Sequence, residues 1–220
     1  LKLALYDKNF GFYNNNYSPK DELIGSKGHF ITSPEISQMF GELLAIWLID
    51  FIEKIEIKTV NLIELGPGKG TLIHDILRVI SNFKSKKINL NLHFLETSNY
   101  LTKVQQEKLK NCNLKKNWYK TFKELERNLN DFPAIFLANE FFDSLPICQY
   151  KFQNPHKLIK MNWKKIVIKY KNNMFFFDEN EIDDKDEILI KSFYKKFDIN
   201  CFKNNEFLEF SKMTNEFLKK

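Results

Sequence analysis

Val60-Asn61-Leu62-Ile63-Glu64-Leu65 runs into Gly66-Pro67-Gly68-Lys69-Gly70, and Leu72, Ile73, Ile76, Leu77 and Ile80 follow at helical spacing. A short apolar run reads as a buried strand and the later stripe as one face of a helix. The glycines between them make a strand–turn–helix unit in which a ligand can approach the backbone closely, with Pro67 stiffening the turn. In an open α/β sheet, ligands bind outside the carboxyl ends of the strands. Two familiar turns do not fit. The dinucleotide pattern G-x-G-x-x-G/A, counted from Gly66, meets Thr71 at its third position. The phosphate loop G-x-x-x-x-G-K-[ST] needs a lysine followed by Ser or Thr, and Lys69 is followed by Gly70. What is left is E-x-G-x-G-x-G, which would also serve a purely structural junction.

Working outward, the same alternation repeats. Leu90, Leu92, Phe94 and Leu95 make a second strand, ending at Glu96, and a helix covers about Tyr100 to Leu109. A weaker strand sits near Asn117-Trp118-Tyr119, and Thr121 with Glu124 has capping-box spacing for a helix through Leu129. Ala134 to Ala138 is a further buried strand, ending at Asn139-Glu140. Upstream, residues 6–32 are loop-like, with the Asn14-Asn15-Asn16 run and Pro19. A helix is then expected to start with Ser33 as cap and Pro34 in the first turn. It runs to about Glu53, burying Ile36, Phe40, Leu43, Leu44, Trp47, Leu48 and Phe51. The pattern predicts an α/β fold: a parallel sheet with helices on both faces and right-handed crossovers.

After Pro146 the texture changes. Cys148 to Phe152, Leu158 to Trp163, Ile166 to Tyr170 and Met174 to Phe177 are β-rich, with a tight turn at Asn172-Asn173. An antiparallel insertion is expected, then an acidic loop over 179–187 and helix again from near Ile188. The expected division is 1–56 as a loop and helix covering the site, 57–146 as the core, and 147–220 as the β-rich insertion with the start of a helix. Leu1 to Leu5 reads as the tail of an earlier helix, and Phe210 to Lys220 as a helix cut short. The chain is therefore expected to be a fragment whose later sheet strands are missing.

Composition narrows the class. With 43% hydrophobic and 28% charged residues the chain reads as a globular domain, and no apolar run reaches the length of a membrane span. The net charge is +6, yet only Arg78 and Arg127 are arginines; every other basic residue is lysine. Base readers lean on bidentate arginine, so sequence-specific nucleic-acid binding is not expected. Cys112, Cys148 and Cys201 form no metal spacing, and His29, His74, His93 and His156 are dispersed, so no metal site is expected. Scattered, unpaired cysteines suit a reducing compartment.

The chemistry gathers at the predicted strand ends. The E-x-G-x-G-x-G pattern looks like the first motif of class I methyltransferases, where the glycines make room for the amino-acid end of S-adenosylmethionine. Glu96, at the end of the next strand, suits the two hydroxyls of an adenosyl ribose; alternatively it is a solvated loop carboxylate. Ser98 either adds a hydrogen bond there or caps the next helix. Asn139-Glu140-Phe141-Phe142-Asp143 offers carboxylates able to orient an amine or guanidinium, and phenylalanines able to keep water out. It also reads as a capping turn with two core phenylalanines.

Four linked stretches then carry a resemblance. They are Ala4-Leu5-Tyr6-Asp7 with Gly11-Phe12-Tyr13; Phe30 to Glu42; the glycine turn; and Asn139 to Pro146. In this order they resemble the MidA family, also called the mitochondrial complex I assembly factor 7-type methyltransferases. The likeness covers roughly residues 4–150. It implies a class I, Rossmann-like methyltransferase fold with S-adenosyl-L-methionine as cofactor. It implies that Glu64, Gly66, Pro67, Gly68, Gly70, Glu96 and Ser98 bind cofactor, with Thr32, Ser33 and Pro34 lining the same pocket. Asn139, Glu140 and Asp143 would face the transferred methyl or the substrate. In mitochondrial members it implies methylation of an arginine on a respiratory complex I subunit. The compartment would be the mitochondrial matrix in a eukaryote and the cytoplasm in a bacterium. The family pattern has an acidic residue where His29 stands and a proline where Asn99 stands. An RNA or small-molecule methyltransferase, and a non-catalytic assembly factor on the same fold, are the alternative readings.

Overall fold

The computed structural model describes residues 2–7, 9–13, 24, 25, 28–83, 88–153, 163–194 and 203–218. The Asn14–Asn16 run, Pro19, His156, the first part of the Leu158–Trp163 strand and Cys201 lie outside them. The chain divides into two compact units, Leu1–Ser144 and Leu145–Lys220.

The first unit opens with α1 (Lys2–Tyr6), then α2 (Ser33–Ile36) and α3 (Gln38–Lys54). Three strand–helix repeats and a fourth strand follow: β1 (Thr59–Leu65), α4 (Thr71–Asn82), β2 (Asn89–Leu95), α5 (Asn99–Lys108), β3 (Lys116–Tyr119), α6 (Phe122–Asn128) and β4 (Ala134–Leu137). The sheet order is β3-β2-β1-β4, and every pairing is parallel. Parallel strands with a turn-and-helix return keep all their carboxyl ends on one edge. One face of the sheet carries Val60, Leu62, Leu90, Leu92, Phe94 and Leu137, packed against Ala45, Leu48 and Ile52 of α3 and Leu72, Ile73, Ile76 and Leu77 of α4. Each such side chain contributes about 1.5–3 kcal/mol by leaving water. Within the apolar sheet, fully buried Asn61 is satisfied on both ends of its amide. Its Nδ2 donates to Asn130 Oδ1 at 2.8 Å and to the Phe132 carbonyl at 3.1 Å, and its Oδ1 accepts from Asn91 at 3.2 Å.

Three expectations for the first helix are corrected. The helix is broken at Ser37, whose extended backbone (φ −149°) ends α2 and whose hydroxyl accepts the Met39 N–H to cap α3. Ser33 is not the cap; Thr32 holds that position, without a side-chain bond. The buried face is also different. α3 buries Gly41, Ala45, Leu48, Ile49 and Ile52, while Ile36, Phe40, Leu43, Trp47 and Phe51 stay exposed. The reason is close approach: a Cβ on Gly41 would stand 2.7 Å from Asp75 Cβ on α4, so small residues must face that helix.

The second unit is an antiparallel sheet ordered β7-β6-β5-β8. Its elements are β5 (Cys148–Phe152), β6 (Trp163–Lys171), β7 (Met174–Glu181), α7 (Asp184–Tyr194), β8 (Phe207–Phe210) and α8 (Lys212–Leu218). Asn172 and Asn173 both take positive φ, 51° and 60°, as a two-residue hairpin turn requires. The acidic stretch is not a loop to 187. β7 continues to Glu181 because its acids pair across strands with lysines (Lys151–Glu179, Lys164–Glu181, Lys169–Asp178), and the helix resumes at Asp184. Phe207–Phe210, partly read as helix, is a strand paired with β5. The core is Tyr150, Phe152, Trp163, Ile190 and Leu208. Beside it, buried Asp186 accepts from Tyr150 at 2.7 Å, Lys165 at 2.7 Å and Lys212 at 2.6 Å.

Among the described residues no helix is long and apolar enough to cross a membrane, and no cluster of His, Cys, Asp and Glu suits a metal ion.

Candidate active site

β2, β1 and β4 lie side by side in parallel, so Glu96, the glycine turn and Asn139 leave the sheet on the same edge. Gly66, Gly68 and Gly70 all have left-handed φ, 64°, 56° and 74°. Space matches conformation. A Cβ on Gly66 would lie 2.9 Å from the Phe141 ring, and one on Gly68 would lie 3.0 Å from Ile24 Cδ1. The turn therefore sits directly under Phe141, which brings the Asn139–Asp143 turn onto it.

Glu64, the last residue but one of β1, has its side chain buried and its Oε2 without a protein partner. Burial, reinforced by the nearby Glu96 carboxyl, pushes its pKa up to about 8. Glu96 is buried too. Its Oε1 accepts the Ser98 N–H at 2.7 Å and its Oε2 accepts from Gln105 Nε2 at 3.1 Å. Burial raises its pKa, and the Ser98 and Gln105 hydrogen bonds oppose that. Two buried carboxyls at one glycine turn disfavour a phosphate and offer acceptor oxygens to a ligand rich in hydrogen-bond donors.

Ser98 does both things expected of it, by different groups. Its hydroxyl caps α5 by accepting the Leu101 N–H at 3.3 Å, while its backbone N–H holds Glu96. Asn99 is exposed in the first turn of α5, a position where proline is equally at home, so that departure from the family pattern is conformationally neutral. His29 is exposed and meets Phe12 edge-on with ring centroids 5.6 Å apart.

The Thr32-Ser33-Pro34 segment is tied to both neighbouring motifs. The Ser33 N–H donates to Glu140 Oε1 at 3.4 Å, and Glu35 accepts from the Thr71 hydroxyl at the start of α4. Pro34 is buried and Thr32 half-buried. Glu140 itself has φ 47°, a strained value of the kind that gathers at functional sites. Asn139 is half-buried, and Glu140 and Asp143 are exposed on the same turn. Phe141 and Phe142 meet edge-on at 5.4 Å.

Gln105 carried no sequence signal of its own, and Tyr6 none beyond its place in the Ala4–Asp7 stretch. The Tyr6 hydroxyl donates to the Ser144 carbonyl at 3.1 Å, placing α1 beside the Asn139–Asp143 turn. Burial raises its pKa, and the negative field of Glu96 adds to that. Gln105 is fully buried at mid-helix, where glutamine reads as a solvent-facing residue.

Residues 43–220 match the model of the family described as "Putative S-adenosyl-L-methionine-dependent methyltransferase". The chain is 37% identical over 195 residues to "Protein arginine methyltransferase NDUFAF7, mitochondrial" of Bos taurus, covering 76% of this chain and 40% of that protein. The Danio rerio protein of the same name is 36% identical over 190 residues, covering 76% and 42%. A crystal structure of a protein from Burkholderia thailandensis bound to S-adenosyl-homocysteine shares the fold. Its TM-score is 0.73 at 18% identity, over 99% of this chain and 52% of that one. The chain thus spans about two fifths of the curated relatives' length.

Proposed function

The chain belongs to this family of S-adenosyl-L-methionine-dependent methyltransferases, and we propose that it carries the cofactor half of an enzyme that methylates an arginine on a partner protein. The observation that carries the reading is the pairing of a three-glycine, left-handed turn with two buried acids, Glu64 and Glu96. The residues fit the group. The turn's three left-handed glycines pack without Cβ atoms against Phe141, Ile24 and Gln105, and the orphan Oε2 of Glu64 suits the ammonium of the amino-acid end. Glu96 suits the ribose hydroxyls, and Thr32, Ser33, Pro34, Pro67 and Ser98 complete the surround. When bound, the cofactor supplies an electrophilic methyl on a sulfonium.

The chain's own residues do the rest. Glu64 and Glu96 provide carboxyl acceptor oxygens in a place where water is scarce. Phe141 and Phe142 exclude water from the turn. Asn139, Glu140 and Asp143 orient the acceptor; a carboxylate grips a guanidinium in two-point fashion and aligns one nitrogen for in-line attack. The names of the relatives support an arginine on a protein, and the resemblance to complex I assembly factors supports a respiratory complex I subunit as that protein. On this reading the protein works in the mitochondrial matrix if eukaryotic and in the cytoplasm if bacterial.

The test is calorimetry with S-adenosylhomocysteine, followed by mass spectrometry of co-expressed complex I subunits. Wild type should bind, and Gly68→Val should not, since it meets both the positive φ and Ile24. Equal binding by the two proteins refutes the site. Cofactor binding with unmodified arginines refutes the substrate; methylated RNA or small molecules, or no transfer at all, would then decide between the other readings.

A further inference from the structure

Gln105 makes three polar contacts with one buried amide, and they come from the ends of three different strands. Its Nε2 donates to the Gly68 carbonyl at 2.7 Å and to Glu96 Oε2 at 3.1 Å, while its Oε1 accepts the Trp118 indole N–H at 2.9 Å. The two ends of such an amide are alike in shape, but their chemistry tells them apart here. An indole N–H only donates and a carbonyl only accepts, so the amide has one orientation. Both of its hydrogens are then used, one on the glycine turn and one on Glu96. Burying an amide costs more than burying an aliphatic chain of the same shape unless every group is paired. Core packing alone does not call for glutamine at this position.

We infer that Gln105 is a positioning residue of the nucleoside site, holding the Glu96 carboxylate in register with the glycine turn so that the site selects a ribose bearing both hydroxyls. The inference rests on the cofactor reading given above. Glu96 is pinned at both oxygens, by the Ser98 N–H on Oε1 and by Gln105 on Oε2. Each carboxylate oxygen has two acceptor directions. The Ser98 bond on one oxygen and the Gln105 bond on the other, with a minor contribution from the Thr97 backbone, fix the plane of the carboxylate, and a vicinal pair of hydroxyls would take one further direction on each. Without Gln105, Oε2 is free to turn and the two remaining directions no longer match a ribose. α5 also lies hard against the turn. A Cβ on Gly70 would stand 3.3 Å from Gln105 Cγ, so the helix and the turn move as one.

The test compares S-adenosylhomocysteine with its 2′-deoxyribose analogue, by calorimetry, on wild type, Gln105→Met and Trp118→Phe. Wild type should prefer the ribose ligand by about 10- to 100-fold, the range for a hydrogen bond to a charged group. Gln105→Met should lose most of that preference while its affinity for the deoxy analogue changes little. Trp118→Phe keeps the ring stacked on Phe94 but releases Oε1, and should give an intermediate preference; it decides the matter if Gln105→Met does not fold. A preference retained in both variants, even with both affinities lowered equally, overturns the inference and leaves Gln105 a packing residue. Wild type that binds neither ligand overturns the cofactor reading itself.

Discussion

Replacing Glu64 with glutamine should make the protein more stable at pH 8 and less stable at pH 5. The native carboxyl keeps its proton to about pH 8, whereas the ordinary value is 4.5. The sign follows from linkage. Below pH 4.5 both states are protonated and the full stability is present; as pH rises the unfolded chain ionises first, and stability falls until the native group ionises too. Each pH unit in that window is about 1.4 kcal/mol, so on the order of 4–5 kcal/mol is lost by pH 8. Glutamine has no proton to lose and removes that slope. It places an –NH2 where Oε2 has no partner, which costs about 1–3 kcal/mol at every pH. The two stability curves should therefore cross between pH 5 and 8. Urea unfolding followed by tryptophan fluorescence at pH 5, 6.5 and 8 reads this directly, and the difference between the two proteins cancels other titrations. Parallel curves with no crossing would refute the claim that Glu64 is held protonated. In the same variant, S-adenosylhomocysteine affinity should fall, because the carboxyl oxygen that would accept from its ammonium is replaced by an amide that can place –NH2 there.

Gly66→Ala should weaken S-adenosylhomocysteine binding at least tenfold by calorimetry, because its Cβ meets Phe141 at 2.9 Å in a left-handed backbone. Asp186→Ala should destabilise the second unit by about 3–5 kcal/mol in thermal melts, since it strands Lys165, Lys212 and Tyr150 around an empty acceptor. Burial pushes the Asp186 carboxyl up, but the hydrogen bonds from Lys165, Lys212 and Tyr150 outweigh it and hold it low. Its contribution is thus present above the ordinary value of 3.8 and disappears as pH falls through its lowered native value. Glu140→Gln and Asp143→Asn should each reduce methyl transfer to an arginine peptide at least tenfold while leaving S-adenosylhomocysteine affinity within threefold, roughly the split expected of groups that act on the acceptor.

The strands and the glycine turn were legible because closely spaced apolar residues run up to a glycine or polar end, even where Asn61 and Glu64 interrupt β1 and Asn91 and His93 interrupt β2. β4 is less buried than its apolar run suggests, because it is an edge strand with Ala134 and Phe136 exposed. α3 was misread because apolar periodicity identifies a stripe without saying which stripe is buried. Gly41 and Ala45 allow α4 to come close, and size lost to proximity. The acids of β7 read as loop because a strand's charge balance lies on its neighbours, out of sight along the chain. Gln105 was invisible for the same reason: all three of its partners are distant in sequence, and only the fold gathers them.

Asn61 has a consequence for that gathering. Apolar side chains tolerate sliding, because one greasy contact replaces another. The Asn61 amide does not, since its bonds to Asn130 and Phe132 exist in one alignment of β4 only. A two-residue slip would keep the facing of every side chain yet carry the strand end about 6.6 Å along the sheet. Asn139 and Glu140 would then overshoot or fall short of the turn beneath Phe141. A single hidden amide, on the far end of the strand from the glycine turn, thus works as the ruler that sets how high Asn139 and Glu140 stand.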